Sequence, residues 1–105
     1  MPRWIRTVRM EELTDDRGTE VVAEGRMFAI FRVQGEPFAL DGLCCHQGGP
    51  LGKAPLCGFV ATCPWHGWQY DVRTGRHTVI ASVVQPSFPC RVVDGWVEVE
   101  LPEGA

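Results

Sequence analysis

Apolar residues in this chain fall in short runs cut by Gly, Pro and Asp, a spacing that predicts strands rather than helices. Residues 4–8 (Trp-Ile-Arg-Thr-Val) read as a first strand. The charged stretch Thr14-Asp15-Asp16-Arg17-Gly18 suits either a short helical turn or a loop. Residues 27–33 alternate well enough for a strand, Gln34-Gly35-Glu36-Pro37 turns it, and Phe38-Ala39-Leu40 returns. The clearest hairpin is C-terminal. Cys90–Val93 leads into Asp94-Gly95, and Trp96–Leu101 comes back with Val97, Val99 and Leu101 on one face.

The middle breaks this pattern. Residues 41–77 carry four of the five cysteines and all three histidines, among many Gly and Pro. Within that stretch only residues 59–62 and 69–72 look like strands. A loop-rich insert loaded with ligand-type side chains, set in a β framework, indicates a site held by a scaffold. No segment has the length and periodicity of a helix. The fold class expected is all-β.

Composition narrows the picture. At 105 residues, with no repeat, low-complexity tract or linker, the chain is expected to form one domain over 1–105. Its 45% apolar and 22% charged residues argue for a globular chain rather than a disordered one. Ten basic residues against thirteen acidic give a net charge of −3 without any Lys/Arg-rich run, which excludes nucleic acid as an expected partner. The N-terminus has early positive charge but no apolar signal region, and no stretch approaches the roughly 20 apolar residues that cross a bilayer. A soluble, cytoplasmic, monomeric protein with no membrane partner is expected. Five cysteines are an odd number, and a reducing compartment favours metal binding over a disulfide framework.

Two clusters stand out, Cys44-Cys45-His46-Gln47-Gly48-Gly49-Pro50-Leu51 and Cys63-Pro64-Trp65-His66-Gly67-Trp68-Gln69-Tyr70. As ligand types they read Cys-x-His, sixteen residues, then Cys-x-x-His. Here the chain resembles the Rieske family, which binds a 2Fe–2S cluster with two Cys on one iron and two His on the other. His46-Gln47-Gly48-Gly49-Pro50-Leu51 is similar to the family's first cluster loop. Cys63-Pro64-Trp65-His66-Gly67, with Tyr70-Asp71 and Thr74-Gly75 beyond it, is similar to the second. The motif covers about a third of the chain. The resemblance implies one Rieske-type 2Fe–2S cluster on Cys44, His46, Cys63 and His66. It also implies the Rieske fold, with antiparallel sheets as a base and a smaller loop-rich cluster-binding subdomain over about 42–77.

Ligand charge explains the residue types. Two thiolates balance an oxidised cluster and two neutral imidazoles add nothing, so reduction leaves a single negative charge. A four-thiolate cluster starts more negative, and His ligation therefore raises the potential. Gly48, Gly49 and Gly67 would let backbone N–H groups approach the sulfurs, and Pro64 would stiffen its loop. Oxidised iron should acidify the ligating imidazoles, so the potential should fall as pH rises into the alkaline range.

Departures from the family are informative. The resembling proteins of cytochrome bc complexes add a disulfide between the loops, where this chain has Gly49 and Trp65. They also place a Ser hydroxyl where Trp68 stands, while Tyr70 matches their Tyr. With one hydroxyl donor fewer, the expected potential is lower than theirs, within the Rieske span of about −150 to +300 mV. Structural zinc would accept the same four ligands. The Gly-Gly-Pro-Leu and Pro-Trp-His-Gly contexts favour the cluster.

The remaining candidates have plainer readings. Cys45 is expected to be a bystander, Cys57 and Cys90 small buried residues, and His77 a solvated surface histidine. Trp65 should both shield the cluster and meet a redox partner, beside Pro50 and Leu51; Trp68 should only pack. Trp4 and Trp96 suit core or surface strand positions, and Glu98, Glu100 and Glu103 a solvated strand face.

The resemblance implies an electron carrier, similar to the ferredoxin components of bacterial aromatic ring-hydroxylating oxygenase systems. Its implied partners are a flavin-containing, NAD(P)H-dependent reductase and a terminal oxygenase. An oxygenase itself needs a second iron on two His and a carboxylate, and only His77 remains after the cluster takes its two. Nor does any nucleotide loop or nucleophile motif appear, so the chain is not expected to be an enzyme by itself. The alternative is an accessory chain resembling the small subunit of assimilatory nitrite reductase.

Overall fold

The computed structural model describes residues 3–44, 48–65 and 67–101. Among these the chain forms strands β1 (Arg3–Arg9), β2 (Thr19–Ala23), β3 (Arg26–Val33), β4 (Glu36–Asp41), β5 (Leu56–Cys57), β6 (Val60–Thr62), β7 (Gln69–Asp71), β8 (Ser87–Phe88), β9 (Cys90–Val93) and β10 (Trp96–Leu101). Single 3-10 turns lie at Met10–Glu12 and Leu51–Lys53. The strands pair antiparallel in three sheets, ordered β1-β10-β9, β2-β3-β4-β8 and β5-β6-β7. No described helix is long and apolar enough to cross a membrane.

Strand β3 explains the layering. Phe28, Ala29, Ile30 and Phe31 are all fully buried, although successive side chains point to opposite faces. Phe28 and Ile30 enter one apolar cluster with Ile5, Val97, Val99 and Leu101. Ala29 and Phe31 enter a second with Leu51, Ala61, Tyr70 and both Cys44 and Cys63. The β2-β3-β4-β8 sheet is therefore covered on both faces, and a strand so placed reads as a continuous apolar run. One cluster anchors the base. The other forms the floor beneath the two cysteine loops.

The all-β expectation holds, as do the strands around residues 4–8 and 27–33 and the C-terminal hairpin. Val97, Val99 and Leu101 are buried together as their alternation requires. The other predicted segments shift slightly: Gln34-Gly35 alone makes its turn, and Glu36 already opens β4. The helical turn considered for residues 14–18 lies earlier, at Met10–Glu12. Strand β2 escaped the sequence because its exposed residues, Glu20 and Val22, carry no polar-apolar contrast. Its hairpin to β3 turns at Glu24-Gly25, where both residues have positive φ, 55° and 75°.

The acidic strand face and Cys57 depart from expectation. Glu98 is only 9% exposed, because it sits on the central strand of its sheet opposite both Arg6 and Arg91. It accepts from Arg91 Nε at 2.8 Å and lies 3.7 Å from Arg6. Trp4 and Trp96 are half-buried on this sheet, with Arg91 over one ring and Arg6 and Arg9 over the other. Glu100 is half-buried, and Glu103 lies outside the described residues. Cys57 is exposed at the end of the short β5-β6 hairpin, its neighbour Leu56 taking the inward place.

Cys90 is half-buried against the base cluster, and burial pushes its thiol up to about 12. The thiolate is the reactive form. A thiol reagent at neutral pH should therefore modify Cys57 well before Cys90. Mass spectrometry of the labelled peptides reads the order directly, and equal rates would contradict the burial of Cys90.

Candidate metal centre

Two loops built to one plan carry the cysteines. The first leaves β4 at Gly42 and is closed at its base by Leu51 N–H to Gly42 O at 3.0 Å and a Leu43–Pro50 bridge. Cys44 N–H donates to Gly49 O at 2.8 Å, and Gly48 N–H donates to Cys44 O at 2.7 Å. The second joins β6 to β7. There Cys63 N–H donates to Trp68 O at 2.8 Å, and Gly67 N–H donates to Cys63 O at 3.0 Å. In each loop the cysteine carbonyl takes the amide four residues on, from a glycine at φ 75° or 72°. Cys45, His46, Gln47 and His66 lie outside the described residues.

The two loops interlock. A Cβ added at Gly49 would stand 2.6 Å from Cys63 Sγ and 3.3 Å from Trp65 Cβ, so only hydrogen leaves room there. Cys44 and Cys63 are 3% and 2% exposed, and neither forms a disulfide. The Tyr70 hydroxyl, on the fully buried side chain of β7, lies 3.1 Å from Cys44 Sγ. These two sulfurs are shielded from water, and one faces a hydroxyl able to donate to a thiolate. That is an environment suited to holding metal through sulfur. Among the described residues no three His, Cys, Asp or Glu side chains converge on one point. The two thiols are what the described residues bring to the site.

The surface around the loops differs in part from expectation. Trp65 is 58% exposed above Gly49, and Pro50 is half-buried. Leu51, expected among the docking residues, is fully buried. It begins a 3-10 turn whose first residue points into the cluster beneath the loops, so no partner can touch it. Leu43 is the exposed leucine of that loop, and nothing in the local pattern distinguishes it from Leu51. Trp68 is half-buried and packs on the same core.

Two residues outside the motif join the site. Gln85 is fully buried, and its Nε2 donates to Asp41 O at 2.9 Å and Leu43 O at 2.6 Å. Its backbone N–H donates to Gly75 O at 2.7 Å. One amide thereby ties the start of the first cysteine loop to the turn that follows β7. In sequence it is a lone polar residue between Val84 and Pro86, without periodic signal. His77, expected in solvent, is half-buried instead. Its ring stands edge-on to Trp68 at 4.8 Å and to Tyr70 at 5.7 Å between centroids.

Comparison with known proteins agrees with this geometry. The family model described as the Rieske [2Fe-2S] domain matches residues 3–89. The ferredoxin component of the naphthalene 1,2-dioxygenase system of Pseudomonas aeruginosa is 32% identical over 101 residues, covering 94% of this chain and 96% of the relative. A ferredoxin of Sphingomonas yanoikuyae B1 superposes with a TM-score of 0.86 at 27% identity, over 95% of this chain and 100% of that one. A chain from a complex of reduced oxygenase and oxidised ferredoxin in carbazole 1,9a-dioxygenase gives 0.81 at 26% identity, over 91% of each. The chain thus belongs to the Rieske [2Fe-2S] family, and its cofactor is a single Rieske-type 2Fe–2S cluster.

Proposed function

We propose that this chain is a cytoplasmic one-electron carrier with Cys44, His46, Cys63 and His66 as its cluster ligands. It accepts electrons from an NAD(P)H-dependent flavin reductase and delivers them to a terminal, aromatic ring-hydroxylating oxygenase. The observation that carries the reading is the pair of matched loops presenting two buried sulfurs, with the Tyr70 hydroxyl against one of them. When bound, the cluster supplies a one-electron couple at a potential raised by its imidazole ligands.

The chain's own residues do the rest. The glycine-closed loops hold the cysteine sulfurs away from water, and Tyr70 offers a hydrogen bond that strengthens as the sulfur gains charge. Trp65 and Leu43 leave apolar surface exposed beside the sulfurs, where a docked protein would exclude water. The relatives that are 30–32% identical over 94–96% of this chain are ferredoxin components of dioxygenase systems, which favours this reading over an accessory subunit.

The test is spectroscopic first. Reduced protein should give the electron paramagnetic resonance signal of mixed His/Cys ligation, whereas a colourless protein holding one zinc ion would end the proposal. The docking role is tested by Trp65→Ala. The signal should persist while the concentration needed to saturate a candidate oxygenase rises about tenfold, since an exposed aromatic anchor contributes more than about 1 kcal/mol. Unchanged saturation would remove Trp65 from the interface.

A further inference from the structure

His77 touches more of the site than its position beyond the motif suggests. Its backbone bridges to Tyr70, and its N–H donates to Val83 O at 2.9 Å. Ring Nδ1 accepts two backbone amides, Val79 N–H and Ile80 N–H, each at 3.0 Å. With that lone pair occupied, the neutral ring carries its proton on Nε2. The same ring packs edge-on against Trp68 and Tyr70, at interplanar angles of 86° and 82°. Trp68 O takes the Cys63 amide, and the Tyr70 hydroxyl meets Cys44 Sγ. One imidazole therefore buttresses a contact to each cysteine and turns the chain back over residues 78–83.

We propose that His77 is a positioning residue for electron transfer: its ring holds Tyr70 so that the hydroxyl stays on the Cys44 sulfur, while Nδ1 fastens the neighbouring loop. This rests on the reading that Cys44 is a cluster ligand. Edge-on aromatic contact is directional, so loss of the ring at residue 77 lets Tyr70 rotate within its pocket. A lost hydrogen bond to a ligating sulfur then weakens the reduced state more than the oxidised one, and the potential falls. Val79 is 82% and Ile80 42% exposed, so burial does little to keep their loop in place without the two amide bonds.

The two roles separate by substitution in the cluster-loaded protein. His77→Asn keeps an acceptor for the amides two and three residues on, as Asn does in its own turns, but removes the ring. His77→Phe keeps a ring and removes the acceptor. Potentials are measured by voltammetry, and loop opening by hydrogen–deuterium exchange of the 78–84 peptide followed by mass spectrometry. His77→Asn should lower the potential by more than half of the drop caused by Tyr70→Phe, with exchange near wild type. His77→Phe should hold the wild-type potential while exchange in 78–84 speeds at least tenfold. Adding His77→Asn to Tyr70→Phe should lower the potential no further.

A His77→Asn protein with the wild-type potential overturns the positioning role. So does a shift that persists undiminished in the Tyr70→Phe background, because it would then bypass Tyr70. The Phe variant decides the matter even if the Asn protein takes up no cluster, since a displaced potential there contradicts the packing argument. Failure of the underlying ligand reading looks different. Wild-type protein would then lack the mixed-ligand resonance signal, before any His77 variant is compared.

Discussion

Replacing Cys63 with alanine should yield a colourless protein without the reduced-state resonance signal, whereas Cys57→Ala should leave both unchanged. The contrast follows from placement. Cys63 is 2% exposed, begins the second loop and abuts Gly49 of the first, while Cys57 sits exposed on a hairpin end. A binuclear cluster deprived of one thiolate loses both a bond and the charge that balances its irons. The loss should also reach stability, because a metal centre bound only by the native state adds its binding free energy to folding. For a domain of this size each 1 kcal/mol moves the melting temperature by about 4–8 °C. A drop of roughly 10 °C or more is expected in a thermal scan. Retention of the colour in Cys63→Ala would remove that residue from the ligand set.

Gly75→Ala should destabilise the fold by about 3 kcal/mol, read from the urea midpoint of unfolding. Two causes combine. Gly75 has φ 80°, where an added Cβ is strained by about 1–2 kcal/mol. That Cβ would also overlap the Gln85 carbonyl oxygen, a backbone atom that cannot swing aside. Gln85 would have to move, and with it the side-chain amide on Asp41 O and Leu43 O that anchors the first cysteine loop. Gly35→Ala separates the causes, because Gly35 has φ 78° but nothing within 4 Å of the added atom. It should lose only the strain contribution. Equal losses in the two variants would refute the clash.

Legibility in the sequence followed the range of the interaction. The X-Gly turn at residues 94–95 and the alternation of Val97, Val99 and Leu101 are local, and both appear as expected. The Rieske resemblance was legible for the same reason, since each loop closes within six residues through its own backbone bonds. Glu98 misled because alternation assigns a face without saying what covers it; two arginines on neighbouring strands do. Leu51 misled because a 3-10 turn redirects its side chain into the core. His77 misled as well, and Gln85 gave no signal. Their partners are backbone groups and aromatic rings brought near by sheet pairing and by packing over the loops.

The sequence by itself determined the strand-rich class, the C-terminal hairpin and the residue types of a mixed sulfur–nitrogen site, because those depend on neighbours along the chain. Only the tertiary structure decided which surfaces are covered, which leucine of the first loop meets solvent, and which distant side chains brace the cysteines. Burial and hydrogen-bond satisfaction are set by contacts between layers. In this chain those layers join segments far apart in sequence, as Gln85 joins Asp41 and Leu43.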